Sequence, residues 1–368
     1  MRRRTYVATV GSVLAGGCLG LGGSDGGQGP NSSTGTPTGT PDSGEDQPVG
    51  FERQWQTDLG IDRLNMTRVS TAVRDDTVYT THDQGMTALS LGDGDERWAK
   101  PTATTFDGLA ADDDGVFAVW TTGELLAVDP DGGDVRWERG ESGNENSIFG
   151  PVVTTAEHVA ASGPEGIVVY RKASGQRVAT LGESAALLAA HDGGFLVDAS
   201  AGLTHYAPDG TVTWRRDDVP YTFAFDAAVT ETALVVAGDR ALVAVDPADG
   251  SKRWESTLDT DFVDARVVTA EGVAFVTEAF DASTVYAVAV ESGDLLWNES
   301  REGMVTFPMV ALDSALVVES NDEAQARDIE TGEVLDSIST GFEKGIMGTA
   351  ARGRTFVGVG RTVYGYRV

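Results

Sequence analysis

Three kinds of side chain in this 368-residue chain could do chemistry: its many carboxylates, four histidines and one cysteine. The acidic runs "LGDGDE" (91–96), "ADDDG" (111–115) and "DPDGGD" (129–134) carry enough oxygen to attract a hard cation. None completes a twelve-residue calcium loop with its terminal Glu, and Asp with Gly is equally the composition of a solvated hairpin turn. His82, His158, His191 and His205 are scattered without metal-ligand spacing. Cys18 has no second cysteine with which to form a disulfide or a zinc cluster. There is no Gly-x-Ser-x-Gly elbow and no phosphate loop. The sequence thus presents no catalytic constellation, and the expectation is a chain without catalytic residues, bound metal or cofactor.

The elements that would hold such groups are set by a repeat. "AVDPDGGDVRW" (127–137) returns as "AVDPADGSKRW" (244–254). Degenerate copies occur at 88–98, 169–179, 204–214, 287–297 and 326–336, each with Gly at its seventh position. The eleventh positions are Trp98, Trp137, Ala179, Trp214, Trp254, Trp297 and Asp336, a period of roughly forty residues. A β-branched run such as "GVFAVW" or "ALVVAG" precedes each copy, and no segment after residue 50 sustains a helical period. Each unit therefore reads as two hairpins, or four short antiparallel strands, and the class is all-β. The final unit lacks a fourth strand, while "GFERQWQTD" at residue 50 looks like a fourth strand without its first three. Trp55 lies 43 residues before Trp98, the spacing of the other copies. Joining the two ends gives an eight-bladed β-propeller over residues 50–368, closed by its N-terminal strand, with no exposed edge left by a linear array.

The recurring phrase resembles the tryptophan-docking motif of the quinoprotein-like (PQQ-like) propellers, Ala-x-Asp-x-x-x-Gly-x-x-x-Trp. Ala127, Asp129, Gly133 and Trp137 match it in full, as do Ala244, Asp246, Gly250 and Trp254. Ala88, Gly94, Trp98 and Ala287, Gly293, Trp297 match in part, and Ala326, Asp328 and Gly332 keep the front without the Trp. The resemblance implies that the Trp packs between blades with its indole N–H bonded across, which makes the phrase architectural. It also raises pyrroloquinoline quinone chemistry. The alcohol-oxidising branch of that family is longer and sets a disulfide of adjacent cysteines against the quinone, which a chain with Cys18 alone cannot form. The outer-membrane assembly lipoproteins of Gram-negative bacteria are similar in being cofactor-free, lipid-anchored propellers.

The N-terminus addresses the protein. "MRRRTYVATVGSVLAGGCLG" has a basic start, a short apolar run and small residues before Cys18, too short for a membrane span. Arg3 and Arg4 resemble a twin-arginine export signal. "LAGGC" resembles a lipobox, with Ala15 where Leu is usual, which implies that Cys18 becomes the lipidated N-terminus. Residues 1–17 are thus an export signal. Residues 18–49 are the lipidated Cys18 and a disordered tether rich in Gly, Ser, Thr and Pro. Treated as a flexible coil, the 31 residues beyond Cys18 span roughly 30 Å. Asn31, Asn65 and Asn298 begin glycosylation triplets.

Acidic residues number 57 against 27 basic, a net charge of −30, with lysine only at Lys100, Lys172, Lys252 and Lys344. Proteins of extremely halophilic archaea are similar, and such a surface makes nucleic acid an improbable partner. The function expected is a cell-surface, membrane-anchored, monomeric scaffold that binds proteins at the membrane surface or in the cell-wall layer. The alternatives are a quinone- or small-ligand-dependent oxidoreductase and a carbohydrate or polymer binder using Trp120, Tyr170, Tyr221 and Phe280. Like charges at this density repel, and the repulsion is screened within about 3 Å in molar salt but over more than 10 Å at tens of millimolar. Lowering the salt across that range is expected to lower the melting temperature. An unchanged value would count against adaptation to high salt.

Overall fold

In the computed structural model the described residues are 50–60, 70–82, 84–102, 106–140, 149–163, 166–182, 186–199, 202–219, 227–238, 241–258, 266–277, 284–300, 309–320, 323–339, 348–352, 355–359 and 362–368. Their strands form eight four-stranded antiparallel sheets, the blades of a β-propeller. In chain order, blades 1 to 7 span residues 71–101, 106–140, 149–181, 186–216, 227–257, 266–300 and 309–339. The last sheet takes three strands from the end of the chain, Gly348–Arg352, Thr355–Val359 and Thr362–Arg367, and its fourth, Glu52–Asp58, from the beginning. That fourth strand runs antiparallel to Thr362–Arg367, with Glu52 opposite Arg367 and Asp58 opposite Thr362. First strands of successive blades touch in cyclic order, and Gly348–Arg352 touches the first strands of both blade 7 and blade 1.

The first hairpin of a blade turns tightly. Asp192 and Gly193 (φ 45° and 73°), like Glu271 and Gly272 (φ 47° and 76°), supply the consecutive positive φ values that a two-residue turn between right-twisted strands requires. The second hairpin, which carries the recurring phrase, turns more widely. Asp129 N donates to Asp134 O, Gly133 N donates to Asp129 O, and Gly133 sits at φ 74°. A bulge follows the first residue of the phrase, between Ala127 and Val128 and again between Ala244 and Val245. The extra residue strengthens the local twist that a propeller blade needs.

Burial differs from simple alternation. Second and third strands such as Gly115–Trp120 and Ala241–Val245 are buried on both sides, because each blade is stacked between two others. The outermost strands alternate, as in Glu96–Pro101. The core is correspondingly divided into wedges, one at each blade junction. Tyr79, Met86 and Ala88 of blade 1 meet Leu109, Val116 and Leu126 of blade 2 in one such wedge. Val310, Val317 and Ala326 of blade 7 meet Tyr366 and Val368 in another, and Trp55 and Val363 meet Val73, Val78 and Leu89 of blade 1 in the wedge where the ring returns to its start.

Removing residues 50–58 takes away a whole strand and a buried indole together. Loss of the Trp alone costs about 3–5 kcal/mol, so the truncated chain is expected to unfold at a clearly lower urea concentration. Equal midpoints for the two chains would mean that the Glu52–Asp58 strand does not hold the ring.

Candidate functional site

The recurring phrase is built as a joint. Trp98, on the fourth strand of blade 1, donates its Nε1–H to Pro130 O in blade 2, at 2.8 Å. The next joints repeat the bond: Trp137 to Lys172 O at 2.7 Å, Trp214 to Pro247 O at 2.9 Å, Trp254 to Val290 O at 2.7 Å and Trp297 to Ile329 O at 2.9 Å. Trp55 does the same from the N-terminal strand to Leu91 O of blade 1, at 2.8 Å. Each ring lies against the glycine of the next copy. A Cβ at Gly133 would fall 2.9 Å from Trp98 Cδ2, and one at Gly250 would fall 2.5 Å from Trp214 Cε3. Glycine is therefore demanded twice, by its positive φ and by the ring above it. Asp129 and Asp246 fix the turns from within. Asp129 Oδ1 accepts from Asp131 N and Gly132 N at 3.0 Å, and Asp246 Oδ1 accepts from Ala248 N at 3.0 Å. Ala127 and Ala244, fully buried, lie directly opposite Trp137 and Trp254 on the adjacent strand.

Two junctions depart from the pattern. Between blades 3 and 4 the eleventh residue is Ala179, and a Cβ at Gly210 would meet only Ala179 and Leu181, at 3.6 and 3.9 Å, leaving room that the other junctions fill with an indole. Between blades 7 and 8 it is Asp336, whose Oδ2 accepts from Phe51 N at 2.8 Å. There the turn has no continuous chain, since the third strand, ending at Arg367, and the fourth, beginning at Glu52, come from opposite ends of the sequence. A carboxylate that accepts from the Phe51 N–H replaces an indole that would need a carbonyl to donate to.

The remaining sequence candidates are distributed around the ring. His82 is buried and bonds Thr87 Oγ1 at 3.0 Å. His205 bonds Thr213 Oγ1 and His191 O and stacks on Trp214 with ring centroids 5.8 Å apart. His158 and His191 are held below the usual imidazole range chiefly by burial. No group of three metal-ligating residues occurs among the described residues. Tyr170 is buried in the blade 2–3 wedge and Trp120 packs, partly buried, against the blade 1–2 wedge, so both serve strand packing rather than standing as exposed sugar platforms. Asn298 is exposed on the outermost strand of blade 6. Cys18, Arg3, Arg4, Asn31, Asn65, Tyr221 and Phe280 lie outside the described residues.

Three charged groups are drawn into the interior, and sequence reasoning singled out none of them. Lys172 Nζ reaches Asp112 Oδ2 at 2.9 Å and Asp114 Oδ2 at 2.7 Å across the blade 2–3 junction, and the hydrogen bond holds the Asp114 carboxyl below its ordinary pKa. Arg327 forks onto Glu299 across the blade 6–7 junction and also bonds Gln325 Oε1 and Gly332 O. Asp198 differs from both. It is 9% exposed, and no described group bonds to its carboxyl. Burial pushes its carboxyl up to about 7.

Residues 55–215 and 200–364 both match the family model described as outer membrane protein assembly factor BamB. The chain belongs to that family. Among solved structures, BamB from Moraxella catarrhalis is similar at 17% identity with a TM-score of 0.67, over 86% of this chain and 100% of that one. A computationally designed protein, Ika8, is similar at 14% identity with a TM-score of 0.68, over 86% of this chain and 99% of that one. At these identities the likeness concerns the fold. No curated protein matches the chain.

The repeat gives Asp198 its meaning within this family fold. It pairs with Leu203, the residue before the first position of the phrase in blade 4. The same register holds Thr80, Ala118, Ala161, Val236, Val276, Val318 and Gly358 in the other blades. Seven blades thus place a small or uncharged residue where blade 4 places an acid. Leu196, two residues earlier, packs in the blade 4–5 wedge, and strand alternation turns Asp198 to that side. Aligning the second strands by the phrase would have exposed it.

A raised folded pKa means that the folded state holds the proton more tightly. The stability present at low pH is then lost as the pH climbs from about 4 to about 7. Asp198→Asn is expected to unfold like the parent at pH 4 but to be about 2–4 kcal/mol more stable at pH 8, in urea melts at fixed high salt. Equal gains at both values would show that the carboxyl does not titrate in the fold.

Proposed function

We propose that the chain is a non-catalytic scaffold, held at the outer face of the cytoplasmic membrane by a lipid on Cys18, whose propeller binds other proteins there. The observation that carries the reading is the family match over most of the propeller, since the family's name is that of an assembly factor, a protein that acts on proteins. The joints support it physically. Trp, Gly and Asp of the recurring phrase are engaged in holding blades together, so recognition falls to the surface around them, on a body stiff enough to present it. A pre-organised surface loses little entropy when a partner docks.

Anchoring follows from the sequence of the first 18 residues together with the composition of 19–49. One acyl chain binds a membrane only marginally, so Cys18 is expected to carry more than one. A partner within reach of such an anchor belongs to the membrane surface or to the layer next to it. Export through a twin-arginine route suits a ring whose last sheet combines the two ends of the chain, because that sheet is complete only after the whole chain has been made.

Cys18→Ser is expected to move the protein from the membrane fraction to the medium without changing its unfolding midpoint. Cross-linking of the parent should recover membrane or wall-layer proteins. Full retention of the Cys18→Ser chain on the membrane would overturn the lipid anchor, and recovery of no protein partner would overturn the scaffold.

A further inference from the structure

Every fourth strand carries, just before its docking position, two residues that stand on the outer circumference of the ring. In blades 1, 2, 3 and 5 these pairs are Glu96-Arg97, Val135-Arg136, Arg177-Val178 and Lys252-Arg253, and the N-terminal strand has Arg53-Gln54. Blade 4 has Val212-Thr213. Blades 6 and 7 alone have two aliphatic residues each, Leu295-Leu296 and Val334-Leu335. All four are exposed, from 37% at Leu335 to 49% at Val334. They are neighbours in space as well as in pattern. Trp297, next to Leu296, lies on Gly332, two residues before Val334, and Asp336, next to Leu335, bonds Phe51 N.

Apolar side chains in contiguous exposed positions mark a surface that something covers. The chain itself indicates what. The segment 1–49 joins the propeller at Gly50, and Gly50 lies against Asp336, at the end of this patch. A membrane anchor at Cys18 therefore delivers the bilayer to the side of the ring where the aliphatic residues stand. A second copy is a poor occupant, because four half-exposed aliphatic side chains offer far less than the roughly 800 Å² per partner that a stable dimer buries. On one flank of the patch, Lys252 and Arg253 are neutralised by Glu255 and Asp246, so the approach depends on the apolar side chains rather than on attraction to anionic headgroups.

We infer that Leu295, Leu296, Val334 and Leu335 form a membrane-contacting rim, so that the anchored ring stands edge-on with blades 6 and 7 against the lipid headgroup and acyl boundary. This rests on the anchoring reading above, and it adds an orientation: both faces of the disc point along the membrane, open to partners approaching laterally.

Because Cys18 is the only cysteine, the full-length Cys18→Ser chain accepts a single reporter thiol. Leu335→Cys and, as a control on the far side of the ring in blade 2, Val135→Cys would each carry an environment-sensitive fluorophore. Both would be mixed at molar salt with zwitterionic phosphatidylcholine vesicles containing brominated acyl chains. The label at 335 is expected to be quenched at least twofold more than the label at 135. Equal quenching, or none at millimolar lipid, would overturn the rim, as would shielding that appears only when membrane proteins are added. Changing all four residues to Ser in the Cys18→Ser chain is expected to lower vesicle co-sedimentation about tenfold with an unchanged melting temperature. The two readings separate cleanly. Loss of membrane retention by Cys18→Ser in cells together with unquenched label leaves the anchor standing and removes the rim. Quenched label with full retention does the reverse.

Discussion

The contact on which the ring depends is an indole laid on a glycine of the following blade. It satisfies three requirements at one point. The ring fills the widening outer part of the wedge between two sheets, its N–H satisfies a turn carbonyl, and the absent Cβ beneath it lets the two backbones approach. Each requirement alone is ordinary. Together they set the spacing and tilt of one blade relative to the next, and their repetition makes that relation uniform around the circle. The bulge after the first position of the phrase supplies the twist, and the Asp holds the turn so that its carbonyl is aimed at the incoming indole.

Uniform joints leave the question of where the ring begins and ends. A linear stack would expose one sheet edge at each end, and here the first strand of the chain pairs with the last. The cost is a broken turn, since residues 50 and 368 take the place of a continuous connection. Asp336 shows how the break is accommodated: where the previous blade would have offered an indole, it offers an acceptor to the backbone N–H of Phe51. Val368 is buried in the same wedge, so both ends of the folded chain are packed where they meet.

Much of this was legible in the sequence because the decisive residues are local. Gly133 and Trp137 are four apart, Gly and Asp specify a turn without help from the rest of the chain, and Trp55 could be assigned by its distance from Trp98 alone. What escaped was set by contacts between blades. Tyr170 and Trp120 pack at blade junctions because stacked blades leave the inner strands little free face. Asp198 was hidden inside an apolar run, and nothing local distinguishes "FLVDA" with a buried acid from the same run ending at solvent. Its register against Leu203 decides the matter, and register belongs to the sheet. The Lys172 bridge to Asp112 and Asp114 likewise joins residues sixty positions apart, which acidic turns alone do not announce.

A repeat protein contains its own controls, and this gives its departures weight that a single-copy fold could not. Where Ala179 replaces Trp, aliphatic side chains face Gly210 in place of an indole, and where Asp336 replaces Trp, the broken turn explains it; both departures are absorbed by the mechanics of the ring. Two others are not. An acid at Asp198 lowers stability at neutral pH in a register where seven sister blades do without one, and Leu295-Leu296 with Val334-Leu335 expose aliphatic surface at positions where five of the other six pairs carry arginine. Neither helps one blade join the next. Residues that work against the stability or solubility of a scaffold, at sites the scaffold's own repeat fills differently, are where selection for something other than folding has acted. In this ring those sites lie in two places, one within the blade 4–5 wedge and one on the rim of blades 6 and 7, which separates a buried titratable group from the apolar surface near Gly50 and lets each be altered without disturbing the joints.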